Sequence, residues 1–193
     1  MGLSNTTTSW GWASRLLHWV SAGVILFLLG LGFYMVEVLS GTDSETLLER
    51  FALTQTHKSW GFVAFALVAL RMIWRAMNPT PALPDGMSGL ERAAAHGGHI
   101  ALYVCMIAMP ISGWLMASAS PLQDTYGIKN MVFGLFELPD PFVPGSSELD
   151  ETLKAVHFYT ALALIVLVLV HIGAALKHAF VNKDGVLRRM ITG

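Results

Sequence analysis

Seven histidines carry most of the chemistry open to this chain: His18, His57, His96, His99, His157, His171 and His178. Imidazole is the commonest metal ligand among side chains, so their spacing is the first thing to read. His157 and His171 lie fourteen residues apart within one apolar run. On an α-helix that interval turns the second ring by only ~40° relative to the first and lifts it ~21 Å along the axis. The two rings share a face at two depths. An imidazole in hydrocarbon is costly unless something binds it, and two stacked on one face suggest two stacked prosthetic groups.

Hydropathy gives the elements that must hold these rings. Of 193 residues, 54% are hydrophobic and 13% charged, with mean hydropathy +0.56. A soluble domain carries about 25% charged residues, so the balance is that of a membrane protein. Four apolar stretches run over approximately 16–39, 57–77, 99–119 and 153–176. Each is near the ~20 residues that cross hydrocarbon as a helix. Backbone groups in lipid must be satisfied within the chain, which predicts an all-α, four-helix transmembrane bundle forming one domain over 1–193. Pro110 falls in the third stretch and predicts a kink. The first stretch is too long for a secretory signal, follows only Arg15 and precedes no clear cleavage site, so it reads as a retained helix.

Charge sets the orientation. Residues 40–56 hold Asp43, Glu45 and Glu49 against Arg50, and residues 120–152 hold Asp124, Glu137, Asp140, Glu148, Asp150 and Glu151 against Lys129. The opposite side carries Arg15, Arg71, Arg75, Arg92, Lys177, Lys183, Arg188 and Arg189. The positive-inside bias then puts both termini and the 78–84 loop in the cytoplasm. The outward stretch 120–150 holds four prolines and is expected to cap the bundle. No basic tract with interleaved aromatics is present, which argues against a nucleic-acid partner. The single Cys105 excludes an internal disulfide, a Cys-x-x-Cys-His attachment and a four-cysteine cluster, and reads as a small buried hydrophobe.

Topology sorts the histidines by depth. His57 and His157 fall at the outer level, while His171 shares the inner level with His18, His96, His99 and His178. A six-coordinate haem needs two axial groups at one depth. The outer pair is close to forced, whereas the inner partner of His171 remains a choice among four. With a single cysteine, such a haem would be held non-covalently. Zinc is the main rival, but it wants four ligands in one tetrahedral cluster, not pairs ~21 Å apart. Arg71 and Arg75, one turn apart, suit either haem propionates or lipid phosphates. Gly23, Gly30, Gly32, Gly61 and Gly173 make room either for a porphyrin or for close helix packing. Lys58 and Lys154 are outward cations beside His57 and His157; they could attract a small anion or anchor the interface.

Together these residues resemble the bacterial cytochrome b561 family. The matching pieces are Arg15-Leu16-Leu17-His18-Trp19, His57, Arg71-x-x-x-Arg75 with Asn78-Pro79-Thr80-Pro81, and His96-x-x-His99 before Tyr103. Lys154-x-x-His157, His171 and the tail from Lys183-Asp184 to Leu187-Arg188-Arg189-Met190 complete them. The resemblance covers nearly the whole chain, and its specificity lies in the order and spacing of the pieces. It implies a four-helix, two-haem b protein of the bacterial inner membrane, with His18 and His171 holding the inner haem and His57 and His157 the outer one. His96 and His99 become candidates for propionate or quinone contacts.

The expected function is electron transfer across the bilayer, because bis-histidine ligation leaves no open iron position. The resemblance implies oxidation of superoxide at the outer face with ubiquinone reduced, Lys58, Lys154 or Arg50 drawing the anion in. The acidic outer face, ten Asp and Glu against four Lys and Arg, opposes that attraction. The alternative is a membrane subunit passing electrons between quinone and a partner dehydrogenase or hydrogenase. A third reading, a haem-free membrane scaffold, predicts a colourless protein.

Overall fold

A computed structural model describes residues 2–121, 125–141 and 146–193. Four long helices dominate it: α1 (Trp12–Phe33), α2 (Ser44–Met77), α3 (Gly89–Ala119) and α4 (Ser147–Lys177). Widened π-helical turns extend α1 through Tyr34–Val38 and α4 through His178–Asn182, and a short α5 (Val186–Ile191) ends the chain. All four long helices are long and apolar enough to cross a membrane. Large apolar side chains such as Phe33, Leu70, Ile100, Val166 and Leu169 face outward. In lipid that exposure carries no hydration penalty.

The helices are longer than the apolar stretches, because capping groups start them. Asp43 accepts from the Thr46 amide and hydroxyl at 3.0 and 2.7 Å, which starts α2 well before His57 and holds the Asp43 carboxyl below its ordinary pKa. Ser88 and Glu91 form a reciprocal capping box that starts α3 ten residues before His99. Ser146 caps α4 through the Leu149 amide. Hydropathy marks where lipid begins, and the caps mark where the helix begins. The histidines expected at helix starts therefore sit turns inside helices, where packing fixes their direction. Pro110 lies within α3 without ending it.

Packing runs in chain order, α1 on α2, α2 on α3 and α3 on α4, with no comparable backbone approach between α4 and the α1–α2 pair. The small core of Val68, Met106 and Leu164 lies between these layers, with Ile25, Leu29 and Cys105 against it. Leu164 is seven residues from both His157 and His171, so the core plugs the level between them.

Each end is closed by polar contacts. At the His57 end, strands β1 (Met131–Val132) and β2 (Phe136–Glu137) form a short antiparallel hairpin. The Phe133 amide donates to Ser59 Oγ at 2.9 Å, and the Phe133 ring meets Trp60 edge-on at 5.6 Å. Buried Asn130 donates to Asp140 at 2.5 Å and to Ser118 at 3.3 Å. This hairpin is the expected cap as far as it is described; residues 122–124 and 142–145 of that stretch lie outside the described residues. On its surface Glu137, 2.7 Å away, holds the Lys129 ammonium above its ordinary pKa.

At the His18 end, buried Asn5 accepts from the Gly11 amide (3.0 Å) and Ser14 (2.7 Å) and donates to the Pro79 carbonyl (3.0 Å). The Ala82 amide donates to Thr7, and Arg189 donates to the Thr8 and Ala82 carbonyls. Arg15 and Trp19 reach back from α1 to the carbonyls of Ile191 and Met190. The amino-terminal segment, the proline-rich loop and α5 are thus one knot. Gly11 is its tightest point, since a Cβ there would lie 2.3 Å from the Leu3 carbonyl oxygen. Gly11→Ala should destabilise the protein by roughly 1–3 kcal/mol, the usual scale of an overpacking clash. Its thermal unfolding midpoint in detergent should fall, while Gly97→Ala, at an open helical site, should leave it unchanged or raised.

Candidate functional site

Two imidazole pairs bridge the seam between α4 and the α1–α2 layer. At one level His57 of α2 faces His157 of α4, ring centroids 6.4 Å apart. At the other, His18 of α1 faces His171 of α4 at 6.2 Å. Two collinear metal–nitrogen bonds of ~2.0 Å, with ~1.2 Å from each nitrogen to its ring centre, would set imidazole centres ~6.4 Å apart. Both pairs have the span of two axial ligands about one metal.

Glycines let the rings of one pair lie close to backbone. A Cβ on Gly113 would approach His157 Cε1 to 3.1 Å, and one on Gly32 would stand 3.5 Å from His57 Cε1. Ser112 Oγ lies 3.0 Å from His157 Nδ1. His57 Nδ1 is buried with no hydrogen-bond partner among the described residues. Of the glycines expected to make room, Gly32 faces a histidine, whereas Gly23, Gly30, Gly61 and Gly173 border open space.

The other level is more polar. His99 of α3 meets His171 edge-on at 5.6 Å, short of the axial span, and Trp19 meets His18 edge-on at 5.1 Å. Arg71 donates to His18 Nδ1 at 3.3 Å. A guanidinium can only donate, so neutral His18 in this arrangement carries its proton on Nε2. Arg71 and Arg75 both lie over the Tyr103 ring, at 5.6 and 5.7 Å. Among the described residues no carboxylate pairs with either arginine, so two adjacent cations face this level unneutralised.

The remaining histidines fall outside these groups. His96 is exposed with Nδ1 2.8 Å from the Arg92 carbonyl, and His178 pairs with Asp184 at 2.5 Å. The four candidates for the inner partner of His171 thus reduce to His18 and His99 as its neighbours. Among the described residues no three His, Cys, Asp or Glu gather as a metal cluster, so tetrahedral zinc does not fit. The paired imidazoles at this spacing and the unpartnered His57 nitrogen do fit a planar group held between two histidines.

The cations near His57 and His157 differ from one another. Lys154 is ion-paired with Asp150 at 2.9 Å and Glu151 at 2.8 Å, so its charge is locally cancelled. Arg50 donates to the Leu39 carbonyl. Lys58 is half-buried beside His57 and within electrostatic reach of Asp140. Sequence reasoning missed Ser112 and Gly113. Their signal was faint: a Ser-Gly step two residues after Pro110, meaningful only once α3 and α4 are placed together.

The family described as prokaryotic cytochrome b561 matches residues 9–193. The chain is 34% identical over 191 residues to "Cytochrome b561 homolog 2" of Escherichia coli (strain K12), covering 99% of this chain and 95% of that protein. It is 27% identical over 175 residues to "Cytochrome b561 homolog 1" of the same organism, covering 91% and 92%. It is 31% identical over 135 residues to "Probable superoxide oxidase CybB" of Yersinia pestis, covering 70% and 72%.

The inner level yields a direct comparison. If a haem lies between His18 and His171, as the resemblance implies, His171→Ala should remove the ring that both His18 and His99 face and empty that site. His99→Ala should keep full haem content. Haem per protein, measured by pyridine haemochrome on both purified variants, checks the pair; equal loss in the two would make His99 the axial partner.

Proposed function

The chain belongs to the prokaryotic cytochrome b561 family, and from that premise we propose that it binds two haem b groups and carries electrons from superoxide at the outer face to ubiquinone in the membrane. Family and helices make it a multi-pass electron-transfer protein of the bacterial inner membrane. The finer reading is supported above all by the two imidazole pairs, stacked on α4 and each at axial span.

His57 and His157 would hold one group, and His18 and His171 the other. Bound haem b supplies reversible one-electron exchange, which paired imidazoles favour over dioxygen binding because they leave no open iron position. Arg71 and Arg75 are placed to receive the anionic propionates of the inner group. Ligation through His18 Nε2 would need the ring proton on Nδ1, and so Arg71 turned from that nitrogen. By the positive-inside bias, the acidic His57 end would face outward and the Arg-rich His18 end the cytoplasm. Two superoxide anions would each give one electron and leave as dioxygen. Those two electrons, with two protons, convert ubiquinone to ubiquinol. The likeness to a protein described as a probable superoxide oxidase supports this choice of donor.

His57→Ala and His157→Ala should each halve the b-type band in reduced-minus-oxidised spectra, leaving the His18–His171 site filled. Full colour in both would contradict the assignment. Steering of superoxide should rest on Lys58, because Lys154 is neutralised by its neighbours. Stopped-flow reduction by superoxide should slow roughly threefold or more in Lys58→Glu, an effect that shrinks with added salt. It should change less than about twofold in Lys154→Ala. The reverse ranking would return the steering role to Lys154.

A further inference from the structure

His157 sits in a seat made by two consecutive residues of α3. Gly113 lets the ring lie against the helix, since even a methyl group there would stand 3.1 Å from Cε1. Ser112, only 5% exposed, supplies the polar contact. Its single hydroxyl proton goes to the Met109 carbonyl at 3.0 Å, an oxygen that can only accept. The Ser112 lone pairs are what remain for His157 Nδ1, also at 3.0 Å. With the hydroxyl proton so placed, the imidazole is the donor in this bond, and the Met109 carbonyl also lies within hydrogen-bond reach of the ring. A neutral ring has one N–H; with it on Nδ1, the lone pair is on Nε2, the nitrogen free to bind a metal.

The partner ring lacks such support. His57 Nδ1 is buried and unpartnered among the described residues. The two rings of this level are thus held unequally, His157 by Ser112 and the Met109 carbonyl of α3 and His57 by packing alone.

From this the geometry assigns Ser112 as a positioning residue: by accepting from His157 Nδ1–H it fixes the ring's tautomer and plane and makes Nε2 a stronger donor to the bound iron. The assignment rests on the reading that His57 and His157 hold a haem. Partners of this kind raise ligand basicity, and their loss typically costs 10- to 100-fold in metal affinity. A stronger nitrogen donor favours the ferric state, so losing the acceptor should raise the reduction potential of this haem alone.

The test is a potentiometric titration of the purified, haem-loaded protein, with haem content measured alongside. His157→Ala first identifies which redox step belongs to this level; if it removes neither a step nor any haem, the two-haem reading fails, whatever Ser112 does. Ser112→Ala should then move that step to higher potential and weaken haem retention there roughly tenfold. The other step should stay fixed, and Ser112→Thr, which keeps the hydroxyl, should restore the original value. If Ser112→Ala fails to accumulate, Ser112→Cys, close in size but a weak acceptor, takes its place and should shift the same step in the same direction. Full haem content with both steps unmoved would overturn the role of Ser112. So would an equal shift of both steps, which marks a general loosening of the bundle.

Discussion

An imidazole inside an apolar helix bundle must be engaged by something, and that requirement organises this molecule. Four rings enter the interior from three helices, α4 contributing two of them. The rings meet in pairs across a seam, 6.2 and 6.4 Å between centroids, and of the long helices α4 packs most closely on α3. Val68, Met106 and Leu164 pack between the two levels, so the pairs are separate sites rather than one cluster.

The rest of the fold keeps the seam in register. At the His18 end, Asn5, Gly11, the 78–82 segment and α5 tie α1 to α2 and to the end of the chain. Lys177 and Glu91, 2.6 Å apart, tie α4 to α3. At the His57 end, the Asn130–Asp140–Ser118 contacts and the Phe133–Ser59 bond hold the hairpin on α2 and α3. Few of these contacts need to be strong individually. Their effect is to fix the axial position of each helix, and an axial slip of one turn, ~5.4 Å, would separate every ring from its partner.

Much of this was legible in the chain before any coordinates. Four apolar runs gave four helices, and the fourteen-residue interval on the last of them placed two rings on one face. Matching depths then paired His57 with His157. The inner pairing was not legible by depth, because His18, His96, His99 and His178 all qualified; only side-chain direction separates the rings that face His171 from those turned to the Arg92 carbonyl or Asp184. Helix ends were misjudged for a related reason, since caps at Asp43, Ser88 and Ser146 lie outside the apolar runs. The pairing of Lys154 with Asp150 and Glu151 follows from i,i+4 and i,i+3 spacing and is readable in the sequence. Ser112 and Gly113 were hidden, because a contact between α3 and α4 leaves no trace in the local sequence of either.

The central claim is that one chain binds two planar iron groups through four imidazoles. The most direct measurement is haem b per polypeptide in the purified wild-type protein, with electron paramagnetic resonance of its oxidised form. The account predicts two haems per chain, both low-spin. A ratio of one or less, or a high-spin signal from an iron with an open position, would contradict it.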